Sequence, residues 1–180
     1  MVEIYDNVIG DVVCDQLIEI LDSKIESSEA TPIVKSWKGG LDVDIFDQFE
    51  LEQYSEISDY LTSIVKSVGG NYLEKYDPKQ FLPTKVELEQ FRVKRYEPNE
   101  QMFPWHIDSG NLRHSKRFLS FLFYLNDNEA GTEFEDFTVE AKKGRVVVFP
   151  PLWMFPHQGT MPTKTPKYIM STYYHYAESD

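Results

Sequence analysis

At 180 residues the chain has the length of one ordinary domain and can bury about 70% of the surface it exposes when unfolded. Hydrophobic residues at 41% and charged residues at 27% exclude an intrinsically disordered chain, a collagen-like fibre and a composition-driven coiled coil. Thirty acidic against 18 basic side chains leave a net charge of −12, a field that repels phosphate backbones and anionic lipid and so argues against nucleic acid and membrane as partners.

Met1–Asp6 carries no basic, then apolar, leader pattern, and no run approaches the ~20 apolar residues of a membrane span. The single cysteine, Cys14, rules out an intrachain disulfide and a cysteine-built zinc site and fits a reducing compartment. The expectation is a cytoplasmic protein with Cys14 as a small buried residue.

Val13, Leu17, Leu21 and Ile25 recur at every fourth position, which predicts an amphipathic helix capped by Asp11 and ending before Ser27-Ser28. Thr31 to Gln48 mixes Pro32, Gly39-Gly40 and charges with apolar pairs, as a short strand and a loop would. The acids Asp42, Asp44, Asp47, Glu50 and Glu52 read as a solvated face. Tyr54, Ile57, Leu61, Ile64 and Val68 repeat the helical spacing before Gly69-Gly70, which predicts a second helix stopped by that pair.

From Lys85 the pattern turns to short runs rich in Phe, Tyr, Val and Ile: Lys85–Tyr96, Arg117–Leu125, Phe134–Glu140, Arg145–Phe149 and Lys167–Tyr176, each read as a strand. Turn residues separate them at Glu97-Pro-Asn99, Asn126-Asp-Asn128, Lys143-Gly144, Pro150-Pro151 and Pro162–Pro166. The fold class is therefore α+β and mainly β, with the N-terminal helices packed on one face of an antiparallel sandwich or barrel. We expect one domain over 1–180, with a helical support region (1–80) and a β core (85–176).

Of four histidines, only His106 has an acid two positions on, Asp108, and on extended backbone such a pair shares one face. Acids make up 30 of 180 residues, so this pair alone decides little. His157 follows some fifty residues later, after Val146–Phe149 and a Pro-rich turn. Two imidazoles and one carboxylate form a facial triad that leaves three coordination positions open and suits non-haem Fe(II); zinc hydrolysis uses the same ligand types, so the triad leaves the metal open. Ten residues beyond His157, Lys167 opens the last strand. If that strand neighbours the one bearing His157, its ammonium can hold the far carboxylate of a metal-chelating dicarboxylate such as 2-oxoglutarate.

With these residues placed, Phe91 to Tyr174 resembles the prolyl 4-hydroxylase-like branch of the 2-oxoglutarate- and Fe(II)-dependent oxygenases. The matching elements are Tyr96, His106 with Asp108, Arg117–Leu125, Gly131-Thr-Glu-Phe134, Gly144 before Val146–Phe149, and His157 with Gly159 and Lys167. The departures are Ala130, where a glycine is usual, and Tyr96, ten rather than nine residues before the first histidine. The resemblance implies a double-stranded β-helix, or jelly-roll, with His106, Asp108 and His157 as metal ligands. It implies that Lys167 and Tyr96 contact the far carboxylate of 2-oxoglutarate, with Ser120 lining that pocket. It further implies Fe(II), 2-oxoglutarate and O₂ as reactants, ascorbate as reductant, and hydroxylation of a C–H bond.

For substrate it points first to a prolyl residue in a peptide or protein, and second to free proline or another small amino acid. Recognition falls to loops such as Trp37–Gln48 and Ser109–Lys116. Trp105, Trp153 and Phe155 adjoin ligands in sequence and are candidates to wall a substrate pocket, while His114 and His175 are read as structural or surface residues. The alternative from a different class is a cupin-like module that binds metal or a small ligand without turnover.

Overall fold

The computed structural model describes residues 1–27, 33–35, 43–45, 54–77, 79–82 and 85–177. In chain order the elements are β1 (Glu3–Tyr5), α1 (Asp11–Glu26), β2 (Ile33–Lys35), β3 (Val43–Ile45), α2 (Ser55–Tyr76), β4 (Val86–Leu88), β5 (Arg92–Tyr96) and β6 (Phe103–His106). A 3-10 turn (Leu112–His114) follows, then β7 (Arg117–Tyr124), β8 (Asn128–Phe134), β9 (Thr138–Ala141), β10 (Val146–Phe149), β11 (His157–Gly159) and β12 (Lys167–Tyr176). An eight-stranded sheet runs β1-β10-β7-β12-β5-β3-β2, with β4 also paired to β12, and a four-stranded sheet runs β6-β11-β8-β9. Every pairing is antiparallel. This is the expected jelly-roll, with both helices on the outer face of the larger sheet.

The central strands are buried on both faces, which is why they read as near-continuous apolar runs. Along β7, Leu119, Phe121 and Phe123 join Leu17, Leu61, Val65 and Val68 of the helices in one core. Leu122 and Tyr124 point the other way into a second core with Tyr96, Phe134, Phe149 and Ile169, between the sheets. The two-residue period of a strand thus separates a structural face from a cavity-facing one, and the same alternation sets Lys167, Ile169, Ser171 and Tyr173 of β12 toward the cavity.

Four local expectations need correction. Gly69-Gly70 does not end α2, which continues to Tyr76; Tyr72 extends the buried stripe past the pair, and a Cβ on Gly69 would lie 2.8 Å from the Tyr174 ring. That glycine is present so the helix can approach the sheet closely. Asp11 is the first helical residue rather than the cap: Gly10 stands at that position, and its carbonyl accepts from the Val13 and Cys14 amides. The run Phe134–Glu140 is not one strand but spans the β8–β9 hairpin, from the end of β8 through a turn into β9, with the Phe134 amide donating to the Phe137 carbonyl at 2.8 Å. Lys85–Tyr96 divides into β4 and β5, which pair with different parts of β12. Apart from Val43–Ile45, the Trp37–Gln48 loop and its acids lie outside the described residues. Among the described residues no helix is long and apolar enough to cross a membrane.

Candidate active site

His106 closes β6, Asp108 follows it in a turn, and His157 opens β11. Pairing of β6 with β11 sets His157 directly opposite His106, so sheet register closes the fifty-residue gap in sequence. One ligand atom from each of the three side chains lies within 4.8 Å of the other two. The imidazole Nε2 atoms approach Asp108 at 3.4 Å (His106, Oδ1) and 3.7 Å (His157, Oδ2).

The hydrogen bonds behind these atoms select the tautomer. His106 Nδ1 lies 2.8 Å from the Pro104 carbonyl, and His157 Nδ1 lies 3.0 Å from the Phe155 carbonyl. A carbonyl only accepts, so each Nδ1 carries a proton and each Nε2 is left to bind a cation. Burial holds the His157 pKa below its ordinary value, which keeps that ring neutral at pH 7. Burial alone would raise Asp108, but its contacts with His106 and His157 and the nearby Lys94 ammonium hold its carboxyl well below the usual range. Two imidazole nitrogens and an ionised, buried carboxylate converging on one point suit a divalent ion. The nitrogen and oxygen donors fit Fe(II).

Asp108 is itself held. The Ser120 hydroxyl donates to Oδ2 at 3.2 Å, and the Tyr173 hydroxyl donates to Oδ1 at 3.0 Å. The Arg117 guanidinium donates to the Asp108 carbonyl at 2.9 Å. It lies 3.8 Å over the Tyr173 ring and pairs with Glu89 at 2.5 and 2.7 Å, and His175 Nε2 meets the same carboxylate at 2.6 Å.

Lys167 and Tyr96 face each other across β12 and β5, and both line the cavity that holds the three ligand side chains and Ser120. The Lys167 ammonium is 1% exposed and donates to the carbonyls of Thr160 and of Gly131, the latter at 3.3 Å. An ammonium has three donors, so one remains for a ligand. Burial, opposed by the Glu129 carboxylate, pulls its pKa down to about 7. The Tyr96 hydroxyl is buried with no hydrogen-bond partner; burial and Asp108 raise its pKa, so it keeps a proton to donate. A partly neutralised ammonium beside an orphaned hydroxyl is a poor core and a fitting seat for a carboxylate.

Sequence reasoning identified His106, Asp108, His157, Lys167, Tyr96 and Ser120, and all six side chains line this one cavity. It missed Tyr173, Arg117 and Glu89 behind Asp108, and Lys94, a second cavity ammonium 5.4 Å from the Phe103 ring. The usable signal for Tyr173 and Lys94 was strand parity, since they share faces with Lys167 and Tyr96 respectively. Trp105 and Trp153 are 46% and 75% exposed, and neither they nor Phe155 line the cavity. His114 sits in the 3-10 turn against Asn111, away from the ligand group.

No curated protein matches the sequence. The family model described as the 2OG-Fe(II) oxygenase superfamily matches residues 91–175, the stretch that carries every residue of the cavity. Three solved structures are similar in fold. A viral collagen prolyl hydroxylase from Paramecium Bursaria Chlorella virus-1, in complex with 2OG, is 20% identical, with 98% of this chain and 96% of that chain covered and a TM-score of 0.63. A Pseudomonas putida prolyl-4-hydroxylase is 17% identical (98% and 93% covered, TM-score 0.66). A Trichoplax adhaerens prolyl hydroxylase, bound to a hypoxia inducible factor oxygen degradation domain peptide fragment, is 17% identical (97% and 83% covered, TM-score 0.75). Sequence motif, jelly-roll and family match agree: residues 91–175 match the 2OG-Fe(II) oxygenase superfamily, on a fold shared with prolyl hydroxylases.

Proposed function

We propose that the protein hydroxylates a prolyl residue within a peptide or protein, as one oxygenase domain over 1–180 whose helices support the jelly-roll. In this reading His106, Asp108 and His157 hold Fe(II), and Lys167 and Tyr96 hold the far carboxylate of 2-oxoglutarate. Bound iron and 2-oxoglutarate supply the oxidising power: one atom of O₂ enters the substrate C–H bond and the other enters the succinate formed as CO₂ is lost. The chain's own residues bind and orient. Lys167 carries the charge that fixes one end of the cosubstrate, and Tyr96 donates its hydroxyl there. Ser120 and Tyr173 keep the Asp108 carboxylate aimed, while Phe103, Leu122, Phe149 and Ile169 give the cavity apolar walls that limit water.

The observation that carries the reading is the buried Lys167–Tyr96 pair sharing a cavity with the triad, since a metal-only site has no use for a second anion seat. Peptide substrates are favoured because the viral and Trichoplax relatives are named for collagen and for a bound peptide fragment.

The test is incubation with Fe(II), ascorbate and 2-oxoglutarate, reading succinate together with oxygen incorporation into proline-containing peptides and into free proline. Hydroxylated peptide with matching succinate is expected, and His157→Ala should abolish both while circular dichroism shows the fold retained. Undiminished succinate from that variant, or ligand binding with no turnover in the wild type, contradicts the proposal.

A further inference from the structure

Asp108 is the one anion of the candidate metal group, and a carboxylate can ligate through either oxygen or both. What constrains it here is unusual in extent. Each oxygen receives its own hydroxyl: Oδ2 from Ser120 at 3.2 Å and Oδ1 from Tyr173 at 3.0 Å.

Tyr173 has little freedom to turn away. Its side chain is 4% exposed, and the Arg117 guanidinium lies 3.8 Å over its ring. Arg117 is fixed in turn by the two-point pair with Glu89 and by its bond to the Asp108 carbonyl. Strand pairing sets Arg117 opposite His175, whose Nε2 meets the same Glu89 oxygen as Arg117 Nε. One cluster therefore grips Asp108 through side chain and main chain together.

Resting on the reading of the triad as a metal site, we propose that Tyr173 is a positioning residue for the metal ligand Asp108. Locked by Arg117, Glu89 and His175, its hydroxyl donates to Oδ1 while Ser120 donates to Oδ2, so the carboxylate is held in the one orientation in which it faces the ion. Partners of this kind orient ligands, and their loss typically weakens metal binding by about 10–100-fold.

The test uses Mn(II) as a redox-silent probe, with affinity from calorimetry and coordination from the electron paramagnetic resonance line shape. Tyr173→Phe keeps the ring and its stacking and deletes only the hydroxyl. It should weaken Mn(II) by about 10-fold or more and alter the line shape. The melting temperature of the metal-free variant should fall by only a few degrees, because one hydrogen bond contributes about 1 kcal/mol. Glu89→Gln, which loosens Arg117 without touching Asp108, should weaken Mn(II) in the same direction and gives an independent reading. A merely structural tyrosine would lower metal-free melting while leaving affinity and line shape unchanged in both variants, and that result overturns the proposal. His157→Ala separates the two levels. If it binds Mn(II) as tightly as wild type, the triad reading fails and this inference fails with it; if it does not bind, Tyr173 is judged on its own data.

Discussion

Affinity for 2-oxoglutarate should fall as pH rises through neutrality, because the Lys167 ammonium has been brought down to about 7 by burial. Only the protonated form holds a carboxylate, so in the empty protein about half the molecules are competent at pH 7 and about a tenth at pH 8. A bound carboxylate raises the pKa of its partner by one to three units, so binding draws in the missing proton. Apparent affinity should weaken by about three- to fivefold from pH 7 to pH 8, and about 0.4–0.9 proton should be taken up per ligand at pH 8. Calorimetry at saturating Mn(II), in buffers of different ionisation enthalpy, reads both quantities. His157 does not confuse the result, since burial lowers its pKa and it stays neutral over this range. Lys167→Arg, whose guanidinium remains charged throughout, should flatten the profile. A pH-independent affinity with no proton uptake in wild type refutes the reasoning.

The same burial predicts that the wild-type site is costly when empty. Between an ordinary 10.5 and about 7 the unfolded chain binds the proton that the folded one resists. The penalty is fully present below pH 7 and disappears as pH rises toward 10.5, so folding stability should increase with pH across that window. It amounts to about 4–5 kcal/mol at pH 7. Even after losing the bonds to Gly131 and Thr160, Lys167→Met should melt roughly 5–10 °C higher than wild type when ligand-free, with the gap closing at high pH; a lower melting temperature contradicts this. The glycine pair in α2 should split in sign. Gly69→Ala drives a Cβ to 2.8 Å from the Tyr174 ring and should cost about 1–3 kcal/mol in denaturant titration. Gly70, with nothing within 4 Å of its Cβ position, should gain about 0.5–1 kcal/mol on replacement by Ala.

The site was more legible in the sequence than the fold around it. His106, Asp108, His157 and Lys167 are rare residue types at fixed offsets, and strand β12 was bounded at Lys167 and Tyr176 because Pro166 precedes it and apolar residues fill it. Helix α1 followed from a clean four-residue spacing. The errors came where tertiary contact overrode local preference. Gly69 looked like a terminator because its partner, the Tyr174 ring, is a hundred residues away. Phe134 and Phe137, stacked 5.0 Å apart across a turn, looked like one strand. Tyr173, Arg117 and Glu89 were hidden for the same reason: a tyrosine in an aromatic run and an ordinary ion pair acquire meaning only once β7, β12 and the Glu89 segment converge behind Asp108.

The central claim is that one cavity seats a divalent ion on three side chains and a dicarboxylate on a fourth, and a crystal structure of the protein with Mn(II) and 2-oxoglutarate tests it most directly. The account predicts the ion among His106 Nε2, one oxygen of Asp108 and His157 Nε2, with the far carboxylate of 2-oxoglutarate against Lys167 Nζ and the Tyr96 hydroxyl. An ion bound elsewhere, or 2-oxoglutarate held without Lys167, would contradict it.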